Sequence, residues 1–312
     1  MRNAAPKIAV LGSINMDIVV CCAHLPRPGE TIIADSATEV CGGKGANQAV
    51  AAARLGADVT MIGCVGDDSF ADHLLENLKY EKIGVSHVAR RSNCASGLAV
   101  VSVDETGENS ITVVPGANGT LGVQDAVAAA DVIRSSHTLL LQMEVPVETI
   151  IAAINIARDS NTRVILDPAP APKLFPNELL KADLICPNQS EAGVILGREI
   201  GSVETARTAA NELIQHGAEN AIVTLGGQGA VLSDGGSPKW IEPFPIDPVD
   251  TTAAGDAFAA ALAVRWAEEK SLLEAAEFAC AAGAIAATRA GAQSAMPTGE
   301  EIEQLILNKG KP

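Results

Sequence analysis

The chain has 312 residues, 47% of them hydrophobic and only 3% aromatic, so its core must be built from Ala, Val, Ile and Leu. A formal net charge of −16 excludes the basic surface that nucleic-acid-binding proteins present to phosphates. It also means that an anionic substrate must be held by local groups, such as helix ends, glycine loops and single cations.

The cysteines and the apolar runs indicate the compartment. Seven cysteines are scattered without CxxC spacing, which is typical of reduced thiols and argues against a zinc site or a disulfide framework. No uninterrupted apolar run approaches the ~18 residues of a membrane span, and the first residues lack the apolar region of a signal peptide. We therefore expect a cytoplasmic protein with no membrane partner.

The first third of the chain predicts strands and helices joined by turn-rich segments. Strands are expected at Lys7–Leu11, near 31–34 and at Asp58–Val65, and helices at 46–55 and 69–82. Beyond them, 98–103 and 110–114 flank Asp104-Glu105-Thr106-Gly107-Glu108-Asn109, a pattern that predicts a β-hairpin outside the main sheet.

From Leu121 onward, strands and helices alternate regularly. The predicted strands are Thr138–Gln142, 163–166, 184–186, 220–225 and Ala230–Ser233, and the predicted helices are 123–134, 147–159, 203–216, 255–268, 272–288 and 298–307. This order predicts an α/β fold with a doubly wound, mostly parallel sheet covered by helices on both faces. We expect a single domain over 1–312, with a small discontinuous β lid from about 15–40 and 96–115.

Several polar residues follow predicted strands, where ligands of such sheets collect. Gly42-Gly43-Lys44-Gly45-Ala46-Asn47 is either a flexible start to a helix or a loop that a ligand approaches closely. Asn15 and Asp17 suit a turn or the recognition of sugar hydroxyls. Glu144 is either a solvated strand end or a site residue. The five histidines show no metal or triad spacing and are expected to be structural.

Two further segments have both a local and a functional interpretation. Asn188-Gln189-Ser190-Glu191 has the spacing of a capping box, yet the same Asn and Glu could orient hydrated Mg²⁺ and phosphates. Thr224-Leu225-Gly226-Gly227-Gln228-Gly229 is either a hairpin turn or a backbone surface for a nucleotide.

The most informative segment is Asp250-Thr251-Thr252-Ala253-Ala254-Gly255-Asp256-Ala257-Phe258. It places a carboxylate in the first turn of an Ala-rich helix, where free N–H groups and the macrodipole attract anions. A carboxylate beside an anion site suits the transfer of an anionic group onto a hydroxyl that Asp256 deprotonates. The segment therefore predicts phosphoryl transfer.

In order and spacing, these segments resemble the two signatures of the ribokinase (PfkB) family of ATP-dependent sugar and nucleoside kinases. The first runs from Gly42 to Asp68 and the second from Asp250 to Phe258, and the resemblance extends from about Lys7 to Leu307. It implies a kinase that uses MgATP, is activated by K⁺ and forms a homodimer, with D-ribose as the favoured acceptor. Deoxyribose, fructose, a keto-deoxy sugar acid and a nucleoside stay open as acceptors, and a non-catalytic sugar sensor is the alternative from another class.

The resemblance also implies roles for residues at matching positions. Asp256 would be the catalytic base, and the N–H groups of Ala254, Gly255 and Asp256 would form the anion hole, with Ala253 just before them among the catalytic residues. The sugar would be bound by Asn15, Asp17, Gly43, Lys44, Asn47, Glu144 and Asp256. The nucleotide and Mg²⁺ would be bound by Asn188, Glu191, Thr224, Gly226, Gly229, Gly255 and Cys280. The K⁺ ligands would be Asp250, Thr252, Ala286, Arg289, Gly291 and the position of Ala295.

Two of these positions depart from the family pattern. Ala295 stands where relatives usually carry a Ser near the cation, and Ser294 is a possible substitute. Cys280 stands where a polar residue or His often flanks the adenine, which leaves base selectivity open.

Overall fold

The computed structural model describes residues 4–309. Between these residues the chain forms two sheets and ten α-helices. In chain order the strands are β1 (Lys7–Leu11), β2 (Asn15–Cys22), β3 (Ser36–Gly42), β4 (Asp58–Val65), β5 (Gly84–Arg90), β6 (Gly97–Asp104), β7 (Asn109–Val114), β8 (Thr138–Gln142), β9 (Arg163–Asp167), β10 (Leu184–Ile185), β11 (Asn220–Thr224), β12 (Ala230–Ser233) and β13 (Lys239–Ile241). The helices are α1 (Lys44–Arg54), α2 (Ser69–Tyr80), α3 (Val123–Ala128), α4 (Ala130–Ser135), α5 (Val147–Arg158), α6 (Gln189–Leu196), α7 (Val203–Gln215), α8 (Ala254–Ala267), α9 (Leu272–Ala287) and α10 (Gly299–Asn308).

The large sheet has the strand order β13-β12-β11-β10-β9-β8-β1-β4-β5. Its strands are parallel from β11 to β5, whereas β12 and β13 are antiparallel additions at one edge. The chain leaves β1 toward β4 on one side and later returns to β8 on the other. Such a reversal opens a crevice at the carboxyl ends of the strands, which is where ligands bind in doubly wound folds.

Helices cover both faces of this sheet, and alternate strand residues point to opposite faces. Ile8 and Val10 of β1 pack with α1, α2, α8, α9 and α10, whereas Ala9 and Leu11 pack with the helices from α3 to α7. Alanines fill much of the buried surface of α8 and α9, which lets these two helices lie close to each other. The predicted doubly wound α/β architecture is confirmed.

A separate sheet has the order β3-β2-β6-β7. The predicted hairpin of β6 and β7 is confirmed, and it joins β2 through a parallel pairing in which Asn15 lies opposite Gly97. The strand expected near 31–34 is wrong, because that stretch is irregular and exposed and the strand begins at Ser36. The helix expected over 123–134 is divided at Ala129 into α3 and α4.

Among the described residues, no helix is both long enough and apolar enough to cross a membrane. All seven cysteines are unpaired.

Candidate active site

Asp256 lies in the first turn of α8, and its side chain is 3% exposed. Its two oxygens accept separate hydrogen bonds: Oδ2 from Asn47 Nδ2 at 3.0 Å, and Oδ1 from Gln48 Nε2 at 3.2 Å. Lys44 Nζ lies 4.0 Å from Oδ1. The carboxylate is thus fixed in orientation beside a cation, an arrangement that suits a general base.

The start of α8 offers backbone donors next to this carboxylate. Ala253 is the N-cap residue and has no side-chain oxygen to cap the helix. The Ala254 N–H donates to the Thr251 carbonyl at 3.2 Å, whereas those of Gly255 and Asp256 have no acceptor within residues 4–309. Two open N–H groups and the positive end of the helix dipole form a site for an anion.

Asn15 and Asp17 lie within β2, so their interpretation as turn residues is wrong. The Asp17 carboxylate lies against the backbone of Gly42, where an added Cβ would be only 2.0 Å from Oδ2. Asp17 Oδ1 is buried without a hydrogen-bond partner among the described residues. Burial, reinforced by the charges of Glu144 and Asp256, raises the pKa of Asp17 to about 7.

Asn15 is oriented by Asn118, a buried residue that the sequence analysis missed. Asn118 Nδ2 donates to Asn15 Oδ1 at 2.7 Å and to the Ile14 carbonyl at 3.2 Å, and its Oδ1 accepts from the Ile14 N–H at 2.9 Å. Because Asn15 Oδ1 is occupied, its Nδ2 is the group free to contact a ligand. Asn15 is therefore held as a hydrogen-bond donor.

The glycine loop before α1 packs tightly against the segment after β1. Gly43 has φ 89°, and an added Cβ would lie 2.8 Å from the backbone nitrogen of Asn15, so a side chain would not fit. Glu144 Oε2 accepts from Ser13 Oγ at 2.5 Å and from the Lys44 N–H at 3.2 Å. Glu144 is therefore part of this cluster and is not a solvated strand end.

The Lys44 side chain is 28% exposed and is the cation nearest to the carboxylates of the site. Burial lowers its pKa, but the negative charges of Asp256, Asp167, Glu144 and Glu191 outweigh this and raise it above the ordinary value. Lys44 is therefore a permanent positive charge at neutral pH.

Two buried residues behind Asp256 were also missed. Gln48 Nε2 donates to Asp167 Oδ2 at 2.9 Å as well as to Asp256. Asp167 is the last residue of β9, and burial raises its pKa to about 8, with Glu191 and Asp256 adding to the effect and Lys44 opposing it. The position of Asp167 at a strand end was the available sequence signal, but the strand was predicted to stop one residue earlier.

Asn188 and Glu191 form the capping box of α6, as the local interpretation predicted. The Asn188 N–H donates to Glu191 Oε2 at 2.8 Å, and the Glu191 N–H donates to Asn188 Oδ1 at 2.9 Å. Both residues also line one cleft, together with Lys44, Asp167, Ala169, Cys186, Thr224, Gly255 and Phe258. Burial raises the pKa of Glu191, against the hydrogen bonds from Asn188.

The loop after β11 is shaped by glycines. Gly226 and Gly229 have φ of 53° and 87°, and the Leu225 N–H closes the loop by donating to the Gly229 carbonyl at 2.8 Å. An added Cβ at Gly229 would lie 2.1 Å from the Ile241 carbonyl oxygen. Cys280 lies in α9 and is not among the residues that line the cleft, and burial raises the pKa of its thiol to about 12.

Some of the residues expected at a monovalent cation are joined around Asp250. Asp250 Oδ1 accepts from Thr252 N–H and Oγ1 at 3.0 and 2.6 Å, and its Oδ2 accepts from the Gly291 N–H at 2.9 Å. These hydrogen bonds lower the pKa of Asp250 despite partial burial, which raises it. The Ala286 carbonyl accepts from the Arg289 N–H, and Ala295 is fully buried. Ser294 Oγ donates to the Ala290 carbonyl at 2.9 Å.

Comparison with known proteins shows which family this chain matches. Residues 5–299 match the family described as pfkB family carbohydrate kinase. The chain is 39% identical to ribokinase of Haemophilus influenzae over 299 residues, covering 96% of this chain and 98% of the relative. It is 36% identical to deoxyribokinase of Salmonella typhi over 304 residues, covering 97% and 99%.

A solved structure supports the same conclusion. Arabidopsis thaliana ribokinase, complexed with ribose and ATP, superposes with a TM-score of 0.88 at 33% identity, covering 97% of this chain and 99% of that one. Family match, sequence identity and fold all extend over nearly the full length. The chain belongs to the pfkB family of carbohydrate kinases.

Proposed function

We propose that this protein is an ATP-dependent ribokinase, which transfers the γ-phosphoryl group of MgATP to the 5-hydroxyl of D-ribose. The observation that carries the proposal is the buried carboxylate of Asp256 beside the open N–H groups of Gly255 and Asp256. The similarity to ribokinases over nearly the whole chain supports the same acceptor.

In this mechanism Asp256 accepts the proton of the sugar hydroxyl as that oxygen attacks phosphorus. The hydrogen bonds from Asn47 and Gln48 keep the carboxylate directed at one position. The N–H groups at the start of α8 stabilise the charge on the transferring phosphoryl group, which is the larger contribution in phosphoryl transfer. Lys44 limits the repulsion between that charge and the surrounding carboxylates.

The sugar is held by Asn15, Asp17, Gly43, Lys44, Asn47 and Glu144. Asn15 donates through Nδ2 and Asp17 accepts through its unpartnered Oδ1, so together they suit hydroxyls that both accept and donate. The free-energy cost of displacing water from these buried polar groups is offset only when every group gains a hydrogen-bond partner from the sugar. A hydroxyl-rich pentose meets that requirement.

The nucleotide occupies the cleft between the start of α8 and the start of α6. Asn188, Glu191 and Thr224, which line the cleft, would face its phosphates, and the Gly226–Gly229 backbone and Cys280 would lie toward the base. Asp167 and Glu191 fit a divalent cation. Burial raises the pKa of both carboxyls, and a nearby positive charge would lower the free-energy cost of ionising them. Mg²⁺ would neutralise phosphate charge there.

A monovalent cation, K⁺ by preference, would be bound by Asp250 and by the carbonyls of Thr252, Ala286, Arg289 and Gly291. The hydrogen bonds that join Asp250 to Thr252 and Gly291 support this set, because they bring the segment before α8 next to the segment after α9. Ala295 offers no side-chain oxygen, so we propose that the site is completed by backbone or water oxygens. The cation would add positive charge near the anion site at the start of α8.

The small sheet would act as a lid that excludes water during transfer. It is built from 15–42 and 97–114, and we propose that the whole chain is one kinase domain with this discontinuous lid.

Ile111, Val113 and Val114 of β7 are between 45% and 49% exposed, which supports pairing of two lids in a homodimer. Sedimentation showing a monomer at working concentrations would contradict the dimer. The unpaired cysteines support a reducing compartment such as the cytoplasm.

The proposal is tested by steady-state phosphorylation of D-ribose by the wild type and by Asp256→Asn. Loss of a general base should lower kcat by at least ~10²-fold. A variant with near wild-type kcat would show that Asp256 is not the base.

The substrate is tested with a panel of sugars at saturating MgATP and KCl. Deoxyribose is the principal alternative, because deoxyribokinase of Salmonella typhi is almost as similar to this chain as the ribokinases are. Fructose, a keto-deoxy sugar acid and a nucleoside complete the panel. Any of them ranking above ribose in kcat/KM would overturn the assignment, and ribose binding without turnover would indicate a sensor.

A further inference from the structure

A single carboxamide joins two carboxylates at the active site. The side chain of Gln48, in α1, is fully buried. Its Nε2 donates to Asp256 Oδ1 at 3.2 Å and to Asp167 Oδ2 at 2.9 Å. Its Oε1 accepts from Gln142 Nε2 at 2.5 Å. Gln48 thus connects α8, β9 and β8 through one side chain.

The chemistry of these groups permits one orientation of the amides. A carboxylate that acts as a base only accepts hydrogen bonds, so Gln48 must turn its Nε2 toward Asp256 and its Oε1 toward Gln142. Gln142 must then present its own Nε2. Gly12 provides the space for this, since an added Cβ there would lie 1.9 Å from Gln142 Oε1. The hydrogen bond from Gln142 to Gln48 Oε1 therefore fixes the orientation of the Gln48 amide.

The effect on Asp256 follows from its two hydrogen bonds. Asn47 holds Oδ2 and Gln48 holds Oδ1, so the carboxylate cannot rotate about Cβ–Cγ without losing both. Gln48 has no exposed surface and cannot touch a sugar bound in the site. Any effect of Gln48 on phosphoryl transfer must therefore pass through the residues that it contacts.

We propose that Gln48 is a positioning residue that holds the Asp256 carboxylate toward the acceptor hydroxyl, with Gln142 fixing the Gln48 amide. This inference rests on the proposed role of Asp256 as the base. The alternative orientation of the carboxylate is set by Lys44, whose Nζ lies 4.0 Å from Oδ1. Without the Gln48 donor, the carboxylate turns toward Lys44 and away from the hydroxyl.

The test substitutes Gln48→Met, which keeps the length of the side chain and removes its donors. We expect kcat to fall about 10- to 100-fold while the KM for sugar and for MgATP stays within about threefold, since Gln48 touches neither substrate. Ser233→Ala is the matched control, because it removes the hydrogen bond from a buried hydroxyl to Asn211, and neither residue lines the cleft. The control should leave both kcat and KM unchanged.

Two further variants keep the test decisive. Gln142→Leu leaves Gln48 in place but removes the hydrogen bond that orients the Gln48 amide. This variant should lower kcat about three- to tenfold with KM unchanged. It replaces Gln48→Met as the test if the Gln48→Met protein does not fold. Asp167→Asn keeps the Gln48–Asp256 hydrogen bond and should raise the Mg²⁺ requirement, which Gln48→Met should not. An unchanged kcat in the folded Gln48→Met protein, or a change confined to KM, would overturn the proposal.

A crystal structure of the Gln48→Met protein separates this proposal from the assignment of the substrate, because it needs no sugar. The Asp256 carboxylate should be rotated toward Lys44 relative to its orientation in the wild type. If the wild type phosphorylates no sugar of the panel, the proposed function fails, and the rotation still decides the role of Gln48. An unrotated Asp256 carboxylate would refute it.

Discussion

The carboxylate of Asp17 should destabilise the folded protein at neutral and alkaline pH. Its pKa is raised to about 7 by burial and by the nearby Glu144 and Asp256, whereas an isolated aspartate has a value of 3.8. Its Oδ1 is buried and makes no hydrogen bond among the described residues that a substitution could remove. We therefore expect Asp17→Asn, which keeps the shape and removes the charge, to be more stable than the wild type.

The magnitude follows from linkage between protonation and folding. Each pKa unit corresponds to about 1.36 kcal/mol, so ionising Asp17 in the folded state costs up to about 4 kcal/mol more than in the unfolded state. Residual hydration of this partly exposed group lowers the expected gain to about 2–4 kcal/mol. For an acid with a raised folded pKa, the cost is zero below the unfolded pKa of about 4. It grows as the pH rises and is complete above about 7.

Urea-induced unfolding at pH 4 and at pH 8, followed by the fluorescence of Trp240 and Trp266, measures this difference. Asp35→Asn is the control, because Asp35 is an exposed aspartate of the same chain. The stabilisation by Asp17→Asn should be present at pH 8 and absent at pH 4, and the control should show none. Equal stabilisation at both pH values, or destabilisation at pH 8, would refute the reasoning. The same variant should bind ribose at least tenfold more weakly, because it loses a charged hydrogen-bond acceptor.

Three other predictions concern binding and activation. Below pH 7 the sugar must displace a proton from Asp17, so its affinity should fall by about tenfold per pH unit, measured by calorimetry; a flat profile from pH 5.5 to 8 would contradict this. Asn118→Ala should weaken sugar binding about tenfold and lower the free energy of unfolding by about 1–3 kcal/mol, because the buried N–H and carbonyl of Ile14 lose their partner. Calorimetry measures the sugar affinity and thermal unfolding measures the stability. An unaltered sugar affinity would contradict the idea that Asn118 orients Asn15. Asp250→Asn should make kcat insensitive to KCl, and a normal KCl response would exclude Asp250 as a cation ligand.

The core of the fold could be predicted because its signals are local. Strands such as β1 and β8 are continuous apolar runs, and the helices around them have helical periodicity, caps and glycine stops. Strands β5 and β13 were missed, and β2 and β3 were expected only as part of the lid without bounds, because these strands carry polar or exposed residues and owe their conformation to pairing with neighbours. Residues 31–34 show the converse, since this apolar stretch has no partner strand and therefore does not form a β-strand.

The site could be anticipated where a residue type has few other uses. A carboxylate at the start of an uncapped helix and a glycine loop with a lysine are such features. Gln48, Asn118 and Asp167 were not anticipated, because a buried amide or carboxylate is indistinguishable in sequence from a solvated one. Their importance arises from contacts between segments far apart in the chain. Asn188 and Glu191 are different again, since the predicted helix cap and the predicted site coincide in one pair.

The parallel pairing of β2 with β6 has a consequence for how the chain folds. Each of these strands has a neighbour close in sequence, β3 for β2 and β7 for β6, so two hairpins can form early. Joining the hairpins brings Asn15 opposite Gly97 across a long intervening stretch that contains α1, β4, α2 and β5. Closing so long a loop is entropically costly until that stretch is itself ordered. The small sheet, and with it Asn15 and Asp17, should therefore be among the last parts of the molecule to gain protection from hydrogen exchange during refolding.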